Sequence, residues 1–296
     1  MKGNPMSGCI LCGIDDLSGA RQAAPVASRL ARDLHSHALL VRVIDSVGMF
    51  PRGWRPPPLG KRRMLRKQLR GVLEEHCFPD GTAMRVETGD PATRLIAVAE
   101  KEDSELIVVA ARRGRNGAVL LVGVASALLL RSPCPVVVVP PRAAPPLDSA
   151  SMQGVVCGLE GDGSERDLAV LRLAGDLAAR LGGEVHAVHG YDPGALPAEA
   201  RGPQHRLKDV LDEAGVEAQG SVVPLPAAEA LQREATKQRS GLVVVGSQGG
   251  DSVGSPLQGA VVVRLAAEGS TTLVVLPRAA KLKKGSGHYE LAARVA

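Results

Sequence analysis

Gly246-Ser247-Gln248-Gly249 closes an apolar run, and after nine intervening residues Gly259-Ala260-Val261 opens another. Glycine reaches backbone angles that other residues avoid. Having no Cβ, it also lets an anion come close to backbone N–H groups. A helix opening at Gly259 adds unpaired N–H donors and the positive end of its dipole. Together these are the parts of a phosphate cradle; the plainer alternative is a turn that lets the next helix pack tightly on a sheet. Other candidate chemistry is thinner. The seven histidines do not cluster. His186 and His189, three apart on a strand, point to opposite faces. Ser126 and Ser164 lack His and Asp partners at readable spacing, and no paired catalytic carboxylates are evident. Cys9-Ile10-Leu11-Cys12 has CxxC spacing but falls in a predicted buried strand, with no second CxxC or His pair to complete a zinc set. Metal binding and redox chemistry are therefore not expected there.

The elements that must position the glycines occur twice. Ile10–Asp15 is echoed by Val155–Glu160, Ala38–Asp45 by Glu184–Gly190, Glu105–Ala110 by Gly241–Val245, and Pro135–Arg142 by Thr272–Arg278, in the same order. In the first copy the patterns predict strands over Gly8–Ile14, Ala38–Ile44, Ala83–Glu87, Leu106–Ala110 and Val136–Val139. Helices are predicted over Ala20–Leu34, Ala92–Glu102 and Ala118–Arg131. Continuous Val/Leu strands alternating with helices imply parallel sheets buried on both faces. The expected fold is α/β: two tandem doubly wound, Rossmann-like domains, each with a five-stranded mostly parallel sheet. The domains are expected over 1–145 and 151–280, with a tail over 281–296. Ligands of such sheets bind beyond the carboxyl ends of the strands, at the switch point of strand order. That singles out Asp15, Glu160 and Asp162 after the first strand, Val43 and Val188 at the end of the second, and the glycine loops after the fourth. The last strands, Val136–Val139 and Leu273–Leu276, are expected as sheet edges able to pair within the chain.

Composition narrows the functional classes. Aromatic residues are 2% of the 296, which argues against base-stacking platforms, so nucleic acid is not an expected partner. The net charge of +5 is mild and gathers in local clusters, Lys61-Arg62-Arg63 with Arg66, Lys67 and Arg70 foremost. The five scattered cysteines fit a reducing cytosol. No basic-then-apolar start reads as a secretory signal, and Gly117–Leu130 is shorter than the ~20 residues a membrane span needs. A cytoplasmic protein without a membrane partner is expected.

The glycine pattern resembles that of the universal stress protein family, G-x-x-G, nine residues, then G and Ser or Thr, which in many members binds ATP. Cys12-Gly13-Ile14-Asp15, Cys157-Gly158-Leu159-Glu160, Val43-Ile44-Asp45, Gly89-Asp90-Pro91 and Pro133-Cys134-Pro135-Val136 add to the resemblance. It covers about residues 8–143 and 153–279. It implies a stress-response regulatory protein binding ATP, with Mg²⁺ on the phosphates rather than in a protein cage, and without efficient turnover. In the second copy it places Gly246, Ser247, Gly249, Gly259, Ala260 and Val261 at the phosphates, Ala260 replacing the usual hydroxyl. Val188 falls at the adenine, with either Glu160 or Asp162 as the acid. The first copy keeps Asp15 and Val43 but departs in its loop. Ala111 takes the first glycine's place, Gly114 fits the second, and Val122 or Gly123 starts the helix. Arg112 and Arg113 either replace lost N–H donors or face water. On this reading the second copy is the main site. The rival is an interaction scaffold with a protein partner or a second copy of the chain, without nucleotide. An ATP-pyrophosphatase or nucleotidyltransferase would need a signature after the first strand that neither Asp15–Ala20 nor Glu160–Ser164 supplies.

Overall fold

The computed structural model describes residues 8–15, 17–45, 59–113, 119–120, 123–142, 154–191, 203–247 and 261–280. The first half runs β1 (Cys9–Ile14), α1 (Leu17–Asp33), β2 (His37–Ile44), α2 (Leu59–Glu75), β3 (Ala83–Thr88), α3 (Pro91–Lys101) and β4 (Ser104–Ala110). It continues with the short strands β5 (Arg112–Arg113) and β6 (Val119–Leu120), then α4 (Val124–Arg131) and β7 (Val136–Val139). The second half runs β8 (Val155–Gly158), α5 (Glu165–Leu181), β9 (Val185–Gly190), α6 (Pro203–Ala214) and β10 (Ala218–Val223). It ends with α7 (Ala227–Lys237), β11 (Leu242–Gly246), α8 (Val261–Glu268) and β12 (Thr272–Leu276).

Each half contributes five parallel strands, ordered β3-β2-β1-β4-β7 and β10-β9-β8-β11-β12. The two sets merge into one ten-stranded sheet because β7 and β12 pair antiparallel, Val137 opposite Val274. The Val-rich strands are buried throughout, as in β7 and β12, where every residue is inside. Two apolar layers cover the sheet. One holds α1, α2, α5 and α6, and the other holds α3, α4, α7 and α8; each layer draws residues from both halves.

Helix α4 starts at Val124, six residues later than the sequence pattern predicts. Gly123 precedes it at φ 70°, a conformation that breaks a helix and favours glycine. Residues 119–120 instead pair antiparallel with 112–113. The basic segment forms α2, which buries Leu65, Leu69 and Val72 on one face and exposes Arg62, Arg63, Arg66, Lys67 and Arg70. Among the described residues no helix is long and apolar enough to cross a membrane.

Candidate functional site

Sheet register fixes which residues of the two halves correspond. Cys12 pairs with Val108 as Cys157 pairs with Val244, so Gly13, Ile14 and Asp15 correspond to Gly158, Leu159 and Glu160. The acid equivalent to Asp15 is therefore Glu160. Asp162 lies in the longer second loop, exposed, accepting from the Ser164 N–H at 2.9 Å. That bond holds its carboxyl below the ordinary range. Gly13 faces Val41 as Gly158 faces Val188, so the counterpart of Val188 is Val41, and Val43 corresponds to Gly190. Ala110 faces Val139 as Gly246 faces Leu276. Ala110, not Ala111, thus stands where the second half has its first loop glycine. Ala111 matches Ser247: their N–H groups donate to Val139 O at 2.9 Å and to Leu276 O at 3.0 Å.

The repeated Cys-Gly pair has a packing cause. A Cβ on Gly13 would lie 3.1 Å from Leu95 Cδ1, and one on Gly158 would lie 2.9 Å from Leu231 Cδ1. Glycine there lets α3 and α7 close on the sheet beneath the carboxyl ends of β1 and β8.

In the first half those strand ends open into a cleft of about 500 Å³. It sits at the β1/β4 switch point, where such sheets bind ligands. Gly13, Val41, Val43, Leu95, Val109 and Ala110 give apolar walls. Arg42, Lys61 and Arg112 with Asp15 and Asp45 give the polar rim. The Arg112 guanidinium donates to the Asp15 carboxylate across the mouth, a pair well exposed to water. Lys61 comes from the first turn of α2 and Ala125 from the first turn of α4, both lining the cleft. Gly123, the N-cap of α4, makes no side-chain cap bond, so the first N–H groups of α4 meet the cleft without a capping side chain. By contrast, Asp90 caps α3, accepting from the Thr93 N–H at 2.8 Å. Replacing Gly123 by alanine is expected to cost about 1–3 kcal/mol by forcing a side chain into a positive-φ conformation. Urea unfolding of the full chain measures this, and a cost near zero would mean that the α4 start reshapes easily.

The second half differs. Its cleft measures about 90 Å³, lined by Glu160, Arg166, Asp167, Val188, Gly246 and Val261 among others. Arg166, in the first turn of α5, lies across Gly246; a Cβ there would sit 2.7 Å from the Arg166 Nε. The guanidinium donates to Leu276 O at 2.6 Å and to Ser247 Oγ at 3.3 Å. Burial pulls its pKa down, Glu160 opposes this and Arg278 adds to it. The expectation that the second copy holds the main site is thus not supported by the described residues: the roomier cleft is in the first half. Of the loop residues anticipated from sequence, Gly114, Gly249, Gly259 and Ala260 lie outside the described residues.

Asp167 was not anticipated. It is buried and accepts from the Glu160 and Gly161 N–H groups at 2.9 and 2.7 Å. Burial raises its pKa and these two bonds oppose that. Its legible signal is Ser164, the N-cap of α5, three residues ahead, a variant of the capping box. His186 and His189 face different partners, Ser221 and Glu234 for one and Leu159 O for the other. His186 meets both Ser221 Oγ and Glu234 Oε2 through the same Nε2, at 2.9 and 3.6 Å, so they are not wired as a triad. Cys9 and Cys12 project into opposite apolar layers, and burial pushes both thiols above their ordinary range, away from reactivity. Among the described residues no group of His, Cys, Asp and Glu is arranged to hold a metal.

A doubled, doubly wound parallel sheet with a cleft at its switch point defines a Rossmann-like α/β protein. Residues 6–140 match the universal stress protein family. That match covers the first half, and the second half repeats the same strand order. The fold is similar to a universal stress protein from Archaeoglobus fulgidus DSM 4304, 17% identical over 91% of this chain and 98% of that one, TM-score 0.63. It is also similar to a functionally unknown protein from Pseudomonas aeruginosa PAO1, 18% identical over 92% of each chain, TM-score 0.59. At these identities the likeness establishes the fold. A universal stress protein in complex with cAMP is 25% identical over 43% of this chain and 98% of that one, TM-score 0.36. No curated protein matches the chain.

Proposed function

We propose that the chain is a cytoplasmic regulatory protein of the stress response whose first half binds an adenine nucleotide. Its units span residues 1–145 and 151–280, followed by a tail over 281–296. The observation that carries this reading is the 500 Å³ cleft at the first switch point. Its size suits a nucleotide. Apolar walls from Val41, Val43 and Leu95 suit a base, and the N-terminus of α4 with Lys61 and Arg112 suits phosphates. Mg²⁺ would travel on the phosphates. The chain has no GxxxxGK[ST] loop, so occupancy rather than turnover is the proposed signal, read by a protein partner or a second copy of the chain. The scaffold reading is favoured only for the second half, where Arg166 occupies the space above Gly246.

The test is equilibrium binding of ATP and AMP to the full chain and to Val124→Glu. Val124 is half-buried against the apolar layer; a carboxylate in the first turn of α4 complements the helix dipole, which offsets part of the packing lost, and it repels phosphate from the same N–H groups. Binding is expected to weaken about tenfold or more, the equivalent of about 1.4 kcal/mol. No uptake by the unmodified chain at millimolar ATP would overturn the proposal.

A further inference from the structure

The two halves diverge most sharply at one position in their first helices. The buried positions of α1, among them Ala20, Ala23, Ala27 and Leu30, match those of α5, Asp167, Val170, Ala174 and Leu177, one for one in spacing. On that alignment the residue equivalent to Arg166 is Gly19. Where the first half has no side chain, the second has the longest one available, laid across the end of β11.

Three observations bear on what this side chain does. Arg166 forks onto the sheet, to Leu276 O on β12 and to the hydroxyl of Ser247, which lies just beyond β11. It needs a glycine at residue 246, and Gly246 is present there without a positive φ to require it. Its Nε is buried with no hydrogen-bond partner, so the placement is not explained by complete satisfaction of its donors. The strand-end glycine thus makes room for a side chain of the protein itself, in the place where the first half keeps an open cleft.

We infer that Arg166 acts as a built-in plug that closes the second half's cleft to nucleotide, so that the tandem chain carries one open cleft and one closed copy. This rests on reading the first cleft as a nucleotide site. The plug is also tied to the other half. Ser247, which accepts from Arg166, donates to Leu129 O of α4, 3.3 Å away. The closed copy thereby contacts the helix whose opposite end lines the open cleft.

The experiment is the stoichiometry of ATP binding to four full-length proteins: unmodified, Val124→Glu, Arg166→Ala and the double variant. Calorimetric titration gives the number of equivalents, and circular dichroism checks that each is folded. The unmodified chain is expected to bind one equivalent, Val124→Glu none in the same range, Arg166→Ala two, and the double variant one. Two equivalents on the unmodified chain, or one still bound at full affinity by Val124→Glu, would overturn the inference without any change at Arg166. An Arg166→Ala protein that stays at one equivalent would overturn it too. Failure of the underlying reading looks different. If the unmodified chain binds none while Arg166→Ala binds one, the first cleft is not the site but the plug stands. If neither binds any, the nucleotide reading fails and takes the plug with it.

Discussion

Arg180→Ala is expected to lower the unfolding free energy of the whole chain by about 3–5 kcal/mol, the usual cost of leaving a buried ion unpaired. Arg180 is on α5 of the second half and Glu105 opens β4 of the first, with their side chains 20% and 6% exposed. Arg180 Nη1 donates to Glu105 Oε2 at 2.8 Å, and Nη2 donates to Leu34 O at 2.9 Å. Ser36 Oγ donates to the other carboxylate oxygen, and Asp176 Oδ2 lies 3.6 Å from the guanidinium. Removing the arginine takes the guanidinium away from the buried Glu105 carboxylate, in a pocket that also holds the fully buried Ser36. The residual exposure of Arg180 lets water reach the gap, which favours the lower end of the range. An Arg180→Met, Glu105→Leu double variant removes both charges and is expected to recover much of the loss. Urea unfolding of the single and double variants closes the cycle. A coupling within about 0.5 kcal/mol of zero would mean that the pair is incidental to joining the halves.

The duplicated fold was legible because its strands announce themselves. Runs such as Val136–Val139 have no alternation, and only strands covered on both faces tolerate that. The pairing of the last strands was legible for a related reason: both are apolar and both would otherwise be edges. Correspondence between the halves was less legible. Matching Val43 to Val188 by their places near the strand ends misses by two residues: β9 ends at Gly190, the counterpart of Val43, so Val188 lies two residues further back, and only hydrogen-bond register shows that Val41 is its partner. Ala111 was matched to Gly246 in the same way, and register moves the match to Ala110.

The plug was not legible at all. A cation in the first turn of a helix reads as surface, and nothing near Arg166 in sequence points to Gly246, eighty residues on. Glycine in a strand end has two physical readings, close approach of a ligand and close approach of the protein's own atoms. Sequence favoured the first and the geometry has the second. The same ambiguity runs the other way in the first half, where Gly123 is held by its backbone angle while a cleft stands open beside it.

Val274→Asp is expected to unfold the chain or cost about 4 kcal/mol or more at neutral pH, since it places an unpaired carboxylate inside the sheet. Val274 and its partner Val137 are 1% and 0% exposed, at the seam where β12 meets β7. Burial would raise the pKa of the new carboxyl in the folded state above the unfolded value near 3.9. The folded protein would then bind more protons than the unfolded one between those two values. Stability would be least impaired in acid and would fall as pH rises through the folded-state pKa. Val274→Thr, similar in shape and uncharged, is expected to cost less and to lack that pH dependence. Because each apolar layer runs through both halves, the variant's loss should appear in a single transition that takes both halves together. Unfolding of the second half alone, leaving the first half's signal intact, would mean that the seam joins two independently stable units.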